Sequence, residues 1–280
     1  MVRIITDSAA DFEPKEYERL NVTCIPLRVM LGETEYLETV DLNKDQFFEL
    51  LASTGASPKT AQPSPQCLMD IFEDTKKTGD EAVYISLSSA LSGTYQSAVM
   101  TCEEAESDAC FVVDSKNATG GQRLLVEYAV RLRDEGKTAA RIVEAVEALR
   151  DKIVLYACID TLEYLYRGGR ISHTVYKLGT MAQVKPVIRV AEEGTIEVPA
   201  KAMGMRKGMD ILCKRVEQQK PSAAHQPIVL YTADRTIGQT MAKKLRDMGY
   251  EIPEERIIQV GAGIGSHIGP NACGVVYVSE

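Results

Sequence analysis

Short apolar runs alternate with amphipathic stretches along most of this chain, and that alternation constrains its fold more than any other feature. Residues 2–6, 22–31, 82–87, 110–113 and 153–159 have the length and apolar content of strands, with Pro26 interrupting the second. Between them, a short segment from Pro14, then 43–52, 65–77, a stretch ending near Ala105, 120–133 and 138–152 read as helices. Residues 34–37 follow Gly32-Glu33 as the return strand of a small hairpin. Parallel strands need a crossover connection, usually a helix, so this order predicts βαβ units and a parallel sheet. After Asp160 the pattern changes. There the reading is a hairpin over 185–198, strands at 228–231, 257–260 and 272–278, and helices at 206–219 and 237–248. A glycine-rich stretch over 261–270 reads as a loop, and a domain boundary is expected near 155–165.

With 280 residues the chain can bury two cores without disulfides or a structural metal. Its longest apolar runs, such as 153–159, fall far short of the about 20 residues of a membrane span. Asp7, Asp11, Glu13, Glu16 and Glu18 crowd the first twenty residues, so no signal peptide is expected. Together with a mean hydropathy of −0.14, this predicts a cytoplasmic protein without stable membrane insertion. A net charge of −8 argues against a broad nucleic-acid surface, and no helix-turn-helix with a basic face is evident. Residues 1–160 hold 16 basic and 28 acidic residues, whereas residues 161–280 hold 16 and 12. An anionic partner would therefore favour the second half, although drift in surface charge gives the same numbers. The seven cysteines are scattered without a C-x-x-C pair, which points to reduced thiols rather than a zinc site or disulfides. Three distant histidines, His173, His225 and His267, suggest no local metal motif, and no cofactor is expected.

Four segments offer groups for chemistry. Ser92 follows a strand and precedes a helix, where it reads as an N-cap with the Gly93 and Thr94 amides behind it. Such a helix start suits a phosphate or carboxylate, and a serine that merely caps fits the spacing equally. Thr60 lies in Lys59-Thr60-Ala61-Gln62-Pro63-Ser64, a proline-stiffened loop that would hold its hydroxyl at fixed geometry or form a plain surface turn. Arg167-Gly168-Gly169-Arg170 combines close backbone approach with forked donors for an anion, or is a solvated basic loop. The segment 261–270 gives G-x-G-x-G before Pro270 and a strand, not the fingerprint of a dinucleotide site, yet it places His267 where a ligand could meet it. A hydrolase triad of His267 and Asp7 lacks a nucleophile placed beside them. Six methionines beyond residue 160, Met181, Met203, Met205, Met209, Met241 and Met248, suit an adaptable apolar tunnel, but ordinary core packing accounts for most of them.

Five segments in order resemble the DegV family of bacterial fatty-acid-binding proteins. They are Thr6-Asp7-Ser8-Ala9-Ala10-Asp11, Thr60-Ala61-Gln62-Pro63-Ser64, the run from Ser88 to Ala98, the run from Leu162 to Ser172, and Gly265-Ser266-His267-Ile268-Gly269-Pro270-Asn271-Ala272. Ala61 departs from the serine expected in many relatives. The resemblance implies two α/β lobes, a parallel-sheet α/β/α lobe over 1–158 and a mixed-sheet lobe over 159–280, with the ligand in the cleft between them. It implies a long-chain fatty acid of the palmitate, stearate or oleate class, its carboxylate held by Thr60 and Ser92 with Gly93, Arg170 and His267 in support. It further implies a lipid carrier rather than an enzyme, in some members presenting the acid to a fatty acid kinase that makes an acyl phosphate. The competing expectation is an enzyme acting on a small phosphorylated or carboxylated metabolite, motivated by the same anion-friendly residues.

Overall fold

The computed structural model describes residues 1–179 and 184–280, so Met181 lies outside the described residues. The first half runs β1 (Val2–Asp7), α1 (Pro14–Leu20), β2 (Val22–Ile25), β3 (Arg28–Leu31), β4 (Thr34–Leu37), α2 (Lys44–Thr54), β5 (Lys59–Ala61), α3 (Pro65–Thr78), β6 (Glu81–Ser86), α4 (Thr94–Glu104), β7 (Cys110–Asp114), α5 (Thr119–Asp134) and α6 (Ala139–Arg150). Four parallel strands in the order β2-β1-β6-β7 make the first sheet. Ile4, Ile5, Val83, Tyr84 and Ile85 at its centre are buried. Both faces are covered, which is why these runs are continuously apolar rather than alternating. Leu125, Val126, Ile142 and Val146 of α5 and α6 cover one face, and Leu68, Phe72 and Ala98 of α3 and α4 the other.

Pro26 does more than interrupt a strand. β2 ends at Ile25 in the parallel sheet, and β3 opens a separate antiparallel sheet ordered β4-β3-β5. A proline has no N–H to give a ladder, so the chain changes sheets at the point where the ladder would fail. β5 occupies part of the segment that the sequence assigns to a loop, and Thr60 lies opposite Val29. Three residues give too short a run for periodicity to reveal a strand.

The second half runs β8 (Ile153–Cys158), α7 (Glu163–Arg167), α8 (His173–Gly179), β9 (Val184–Val190), β10 (Ile196–Met203), α9 (Met205–Gln218), β11 (Ile228–Tyr231), α10 (Arg235–Asp247), β12 (Ile257–Gln259), α11 (Ala262–Ile268) and β13 (Cys273–Val278). Its mixed sheet has the order β10-β9-β8-β13-β11-β12, antiparallel except between β11 and β12. β8, grouped by the sequence with the N-terminal lobe 1–158, belongs to this sheet, between β9 and β13. Two helices in succession, α5 and α6, return the chain to the end from which it left β7. The next strand then runs the wrong way for a parallel partner, and an apolar run by itself does not say which sheet it joins. Met209 and Met241 pack with Tyr156, Cys158 and Cys273 on the face away from the first sheet, as ordinary core.

The glycine-rich stretch holds a further correction, because Ala262–Ile268 form α11 rather than a loop. Glycine's low helix propensity hides it, and close packing against the N-terminal half compensates. A Cβ at Gly263 would stand 2.7 Å from Leu27 Cδ1, and one at Gly265 would stand 2.9 Å from both Phe47 and Phe48.

α5 serves both sheets. Leu125, Val126 and Ala129 pack with the first, while Leu124 joins Leu155, Ile228, Leu230 and Val276 of the second. Leu124→Ala should therefore lower unfolding free energy by about 3 kcal/mol, and the two halves should still unfold in one urea transition. Two separated transitions in the variant would show that α5 does not couple them.

Candidate functional site

A cavity of about 250 Å³ lies between the two large sheets, far above the roughly 10–15 Å³ that one water needs. The mixed sheet contributes Leu155, Ala157, Ile188, Val190 and Leu230 to its wall. The N-terminal half adds Leu27, Leu87, Leu91 and Ala118, and α11 adds Ile264 and Ile268. Thr60, Ser92, Gly93, Arg170 and His267 all line it, so residues spread over more than two hundred positions meet at one place. They line it together with Gln62, Thr119 and Tyr231, in a wall that is otherwise mostly apolar.

Each arrives by a different route. Thr60 sits on β5, with its Oγ1 2.8 Å from His267 Nε2 on α11. Ser92 lies in the loop after β6. It is not the N-cap the sequence predicts, since Gly93 caps α4. Its Oγ instead accepts from the Thr94 amide at 3.3 Å and lies 2.8 Å from Thr94 Oγ1, the short i to i+2 reach open to a serine in a turn. Asp7 holds this loop. Its buried carboxylate accepts from the Leu87 amide at 2.8 Å, the Tyr84 hydroxyl at 3.0 Å and Gln122 Nε2 at 3.1 Å. Burial raises the Asp7 carboxyl above its ordinary range. These partners leave it no contact with His267, so the triad arrangement does not form.

The two arginines separate. Arg167 turns to Glu163 at 2.5 Å on the exposed side of α7. Arg170 turns inward. Its Nε donates to the Leu91 carbonyl at 2.9 Å and its Nη1 to the Gly168 carbonyl. Gly169, at a φ of 75°, makes the turn between them. Gly168 has a different purpose, because a Cβ there would stand 2.2 Å from His267 Nδ1. Gly168 thus admits the imidazole rather than the ligand itself. Among the described residues Arg170 has no acidic partner, and burial draws its pKa below the usual value. Its positive charge is left facing the cavity.

Burial, and then the charge of Arg170, push the His267 pKa down to about 4, so the ring is neutral at pH 7. With the proton on Nε2 it donates to Thr60 Oγ1, which frees the threonine O–H to donate onward. Nδ1 then carries a lone pair and has no partner of its own. Sequence reasoning does not single out Gln62, which also lines the cavity, its Oε1 2.8 Å from where a Gly93 Cβ would lie. Recognition of β5 would have found it, two residues beyond Thr60 and so on the same face of the strand direction.

A two-lobed α/β protein with an apolar inter-sheet cavity and an anion-seeking patch is the class that fold and site define. The profile described as uncharacterised proteins of the DegV family matches residues 1–280. The chain belongs to the DegV family. A DegV domain-containing protein of Caldanaerobacter subterraneus subsp. tengcongensis is 32% identical over 276 residues, covering 99% of this chain and 98% of its own. One of Clostridium perfringens is 32% identical over 284 residues, covering 99% and 97%. Among solved structures, a DegV family protein from Thermus thermophilus described by its fatty acid binding has a TM-score of 0.89 at 28% identity, covering 100% of this chain and 99% of its own. A stearic acid-binding protein from Eubacterium ventriosum has a TM-score of 0.89 at 26% identity, covering 100% and 98%.

The lowered His267 pKa has a measurable sign. Between an ordinary value near 6.5 and the folded value of about 4, the unfolded chain takes up a proton that the folded chain refuses. The His267 contribution therefore lowers stability as pH falls through that window. The ring resonances of His267 should show no titration between pH 8 and 5.5 and a midpoint near 4. A midpoint above 6 would remove the neutral, Thr60-bonded imidazole from the site.

Proposed function

We propose that this protein binds one long-chain fatty acid, of the palmitate, stearate or oleate class, between its two sheets. The carboxylate accepts hydrogen bonds from Thr60 and Ser92, with the Gly93 backbone, Arg170 and His267 in support. The observation that carries this reading is the inward-facing Arg170 with no acidic partner among the described residues, at the edge of an apolar cavity. A carboxylate leaving water needs several donors, and an unpaired guanidinium needs an anion. The cavity wall offers an alkyl chain Leu, Ile and Val side chains. At about 0.8 kcal/mol per methylene, a C16 tail supplies roughly 11 kcal/mol before association and ordering costs. The tail therefore sets affinity, and the polar patch sets orientation.

The reading extends to a partner. Gly93 is exposed beside the patch, so the carboxylate end is open to the outside. A separate fatty acid kinase reaching that end would transfer phosphate to it, and this chain would present the acid without catalysing the step. Fatty-acid binding in the two neighbouring structures supports the ligand class, and the partner is an extension of it.

Native mass spectrometry of protein purified from bacteria, followed by lipid extraction, should recover one C16–C18 acid per chain. Recovery of a small polar metabolite instead, with no affinity for palmitate or oleate, would favour an enzyme on such a metabolite. The paired change Thr60→Ala and Ser92→Ala should weaken palmitate at least tenfold, since hydrogen bonds to a charged group contribute about 1.5–3 kcal/mol each. Methyl palmitate should change less than twofold, and equal loss for both ligands would remove the orientation role.

The tail wall gives a further expectation. In the mixed sheet Gly274 pairs with both Ala157 and Leu230, and a Gly274 Cβ would lie 3.2 Å from that of Ala157. These neighbours form a shallow place in the cavity face. Ala157→Leu should cost stearate about fourfold per displaced methylene and leave laurate within twofold, as read by competition titration. An unchanged ratio of the two affinities would place the tail elsewhere.

A further inference from the structure

α11 has only seven residues, too few to hold itself in water, so its position depends on what grips it. Its first-turn amides are gripped by carboxylates from the other half of the molecule. The Gly261 amide donates to Asp11 Oδ1 at 2.8 Å, and the Gly263 amide donates to Glu38 Oε1 at 2.8 Å. Glu38 is fixed in turn, because its Oε2 accepts from Ser8 Oγ at 2.5 Å, and Ser8 Oγ accepts from the Leu27 amide at 2.9 Å. The glycines make this reach possible. A Cβ at Gly261 would stand 2.4 Å from Glu38 Oε1 and 2.8 Å from Asp11 Oδ1, and one at Gly263 would stand 2.8 Å from Glu38 Oε2. One and a half turns later the same helix presents His267 to Thr60.

We propose that Asp11 and Glu38, neither of which lines the cavity, are positioning residues of the head-group site and act on it through α11 and His267. The helix is a rod about 9 Å long from Gly261 to His267, fastened to the N-terminal half at both ends. Moving its start moves the imidazole relative to Thr60 Oγ1. With the ring proton on Nε2, the threonine hydroxyl then loses the donor that leaves its own proton free for a ligand oxygen. The energetic pattern favours positioning over stability. Both carboxyls are fully buried. Burial and the neighbouring Asp11 charge push Glu38 up to about 7, while burial pushes Asp11 up to about 6 against the opposing pull of Lys44. Neutral Asn or Ser caps would satisfy the same amides with less desolvation. What Asp11, and Glu38 in its ionised form, add is a charge-assisted bond to each amide, stronger than a neutral cap gives.

The inference rests on the carboxylate-binding reading for its ligand test, and has a second readout that does not. In the full chain Glu38→Gln should leave the melting temperature equal or raised. It should weaken palmitate about tenfold and methyl palmitate less than twofold. Independently of any ligand, the His267 Nε2 nitrogen shift should move toward that of a ring released from Thr60. Gly263→Ala, which displaces the helix while keeping both carboxylates, should give the same shift, and carries the test if Glu38→Gln does not fold. A folded variant with wild-type His267 shifts overturns the proposal, as does a parallel loss of acid and ester. Failure of the fatty-acid reading is distinct, since the wild-type protein would then bind neither ligand while the His267 shift still responded to Glu38→Gln.

Discussion

A half-buried guanidinium at the cavity edge, hydrogen-bonded to backbone carbonyls and without an acidic partner among the described residues, is the constraint on which the site depends. Arg170 is held by the Leu91 and Gly168 carbonyls, and neither neutralises it. In a medium less polar than water that charge calls for an anion, and its nearest open space is the cavity. The rest of the wall is Leu, Ile, Val and Ala with a few neutral donors. An anion that fills this space has to be apolar over most of its length and charged at one end.

One short segment organises the parts that meet that anion. Asp7 ends β1, and Ser8 and Asp11 follow it, at the edge where open parallel sheets commonly place their ligands. Asp7 holds the Leu87 amide and with it the loop of Ser92. Ser8 holds Glu38 and Leu27. Asp11 holds Gly261 and with it the helix of His267. A turn of five residues thus fixes the approach of three segments that are distant in sequence. Their polar groups face inward to backbone amides, which is why the segment carries so much charge and is nonetheless buried.

The parallel sheet was legible because buried central strands leave long Val and Ile runs, and the helices between them are amphipathic. The mixed sheet was expected from the DegV resemblance, and its β9-β10 hairpin was legible in the residues themselves. β8 was assigned to the wrong half because an apolar strand has the same composition in either sheet. β5 and α11 stayed hidden for opposite reasons. β5 is too short for a period, and α11 is built from glycine, which reads as a loop until Leu27, Phe47 and Phe48 are seen pressing on it. The five candidate residues were singled out through the DegV resemblance more than through their own chemistry. Ser92 looked like a cap, Thr60 like a turn and Arg170 like a solvated loop. The buried pair Asp11 and Glu38 escaped notice because nothing in the sequence links an acid near residue 38 to amides beyond residue 260.

The electrostatics of the cavity also separate holding from reacting. A general base works best with a pKa near the working pH. His267 lies well below it, at about 4, because burial and Arg170 both disfavour its protonated form. Cys273, whose thiol packs beside Cys158 on the far face of the mixed sheet, is driven the other way by burial and by its neighbouring thiols, and stays protonated. Among the described residues no Asp, Glu or Lys side chain is part of the wall. The groups that remain are neutral donors and one permanent cation. Such a set suits the acceptance of an anion from the cavity side, which is the arrangement the fatty-acid proposal uses.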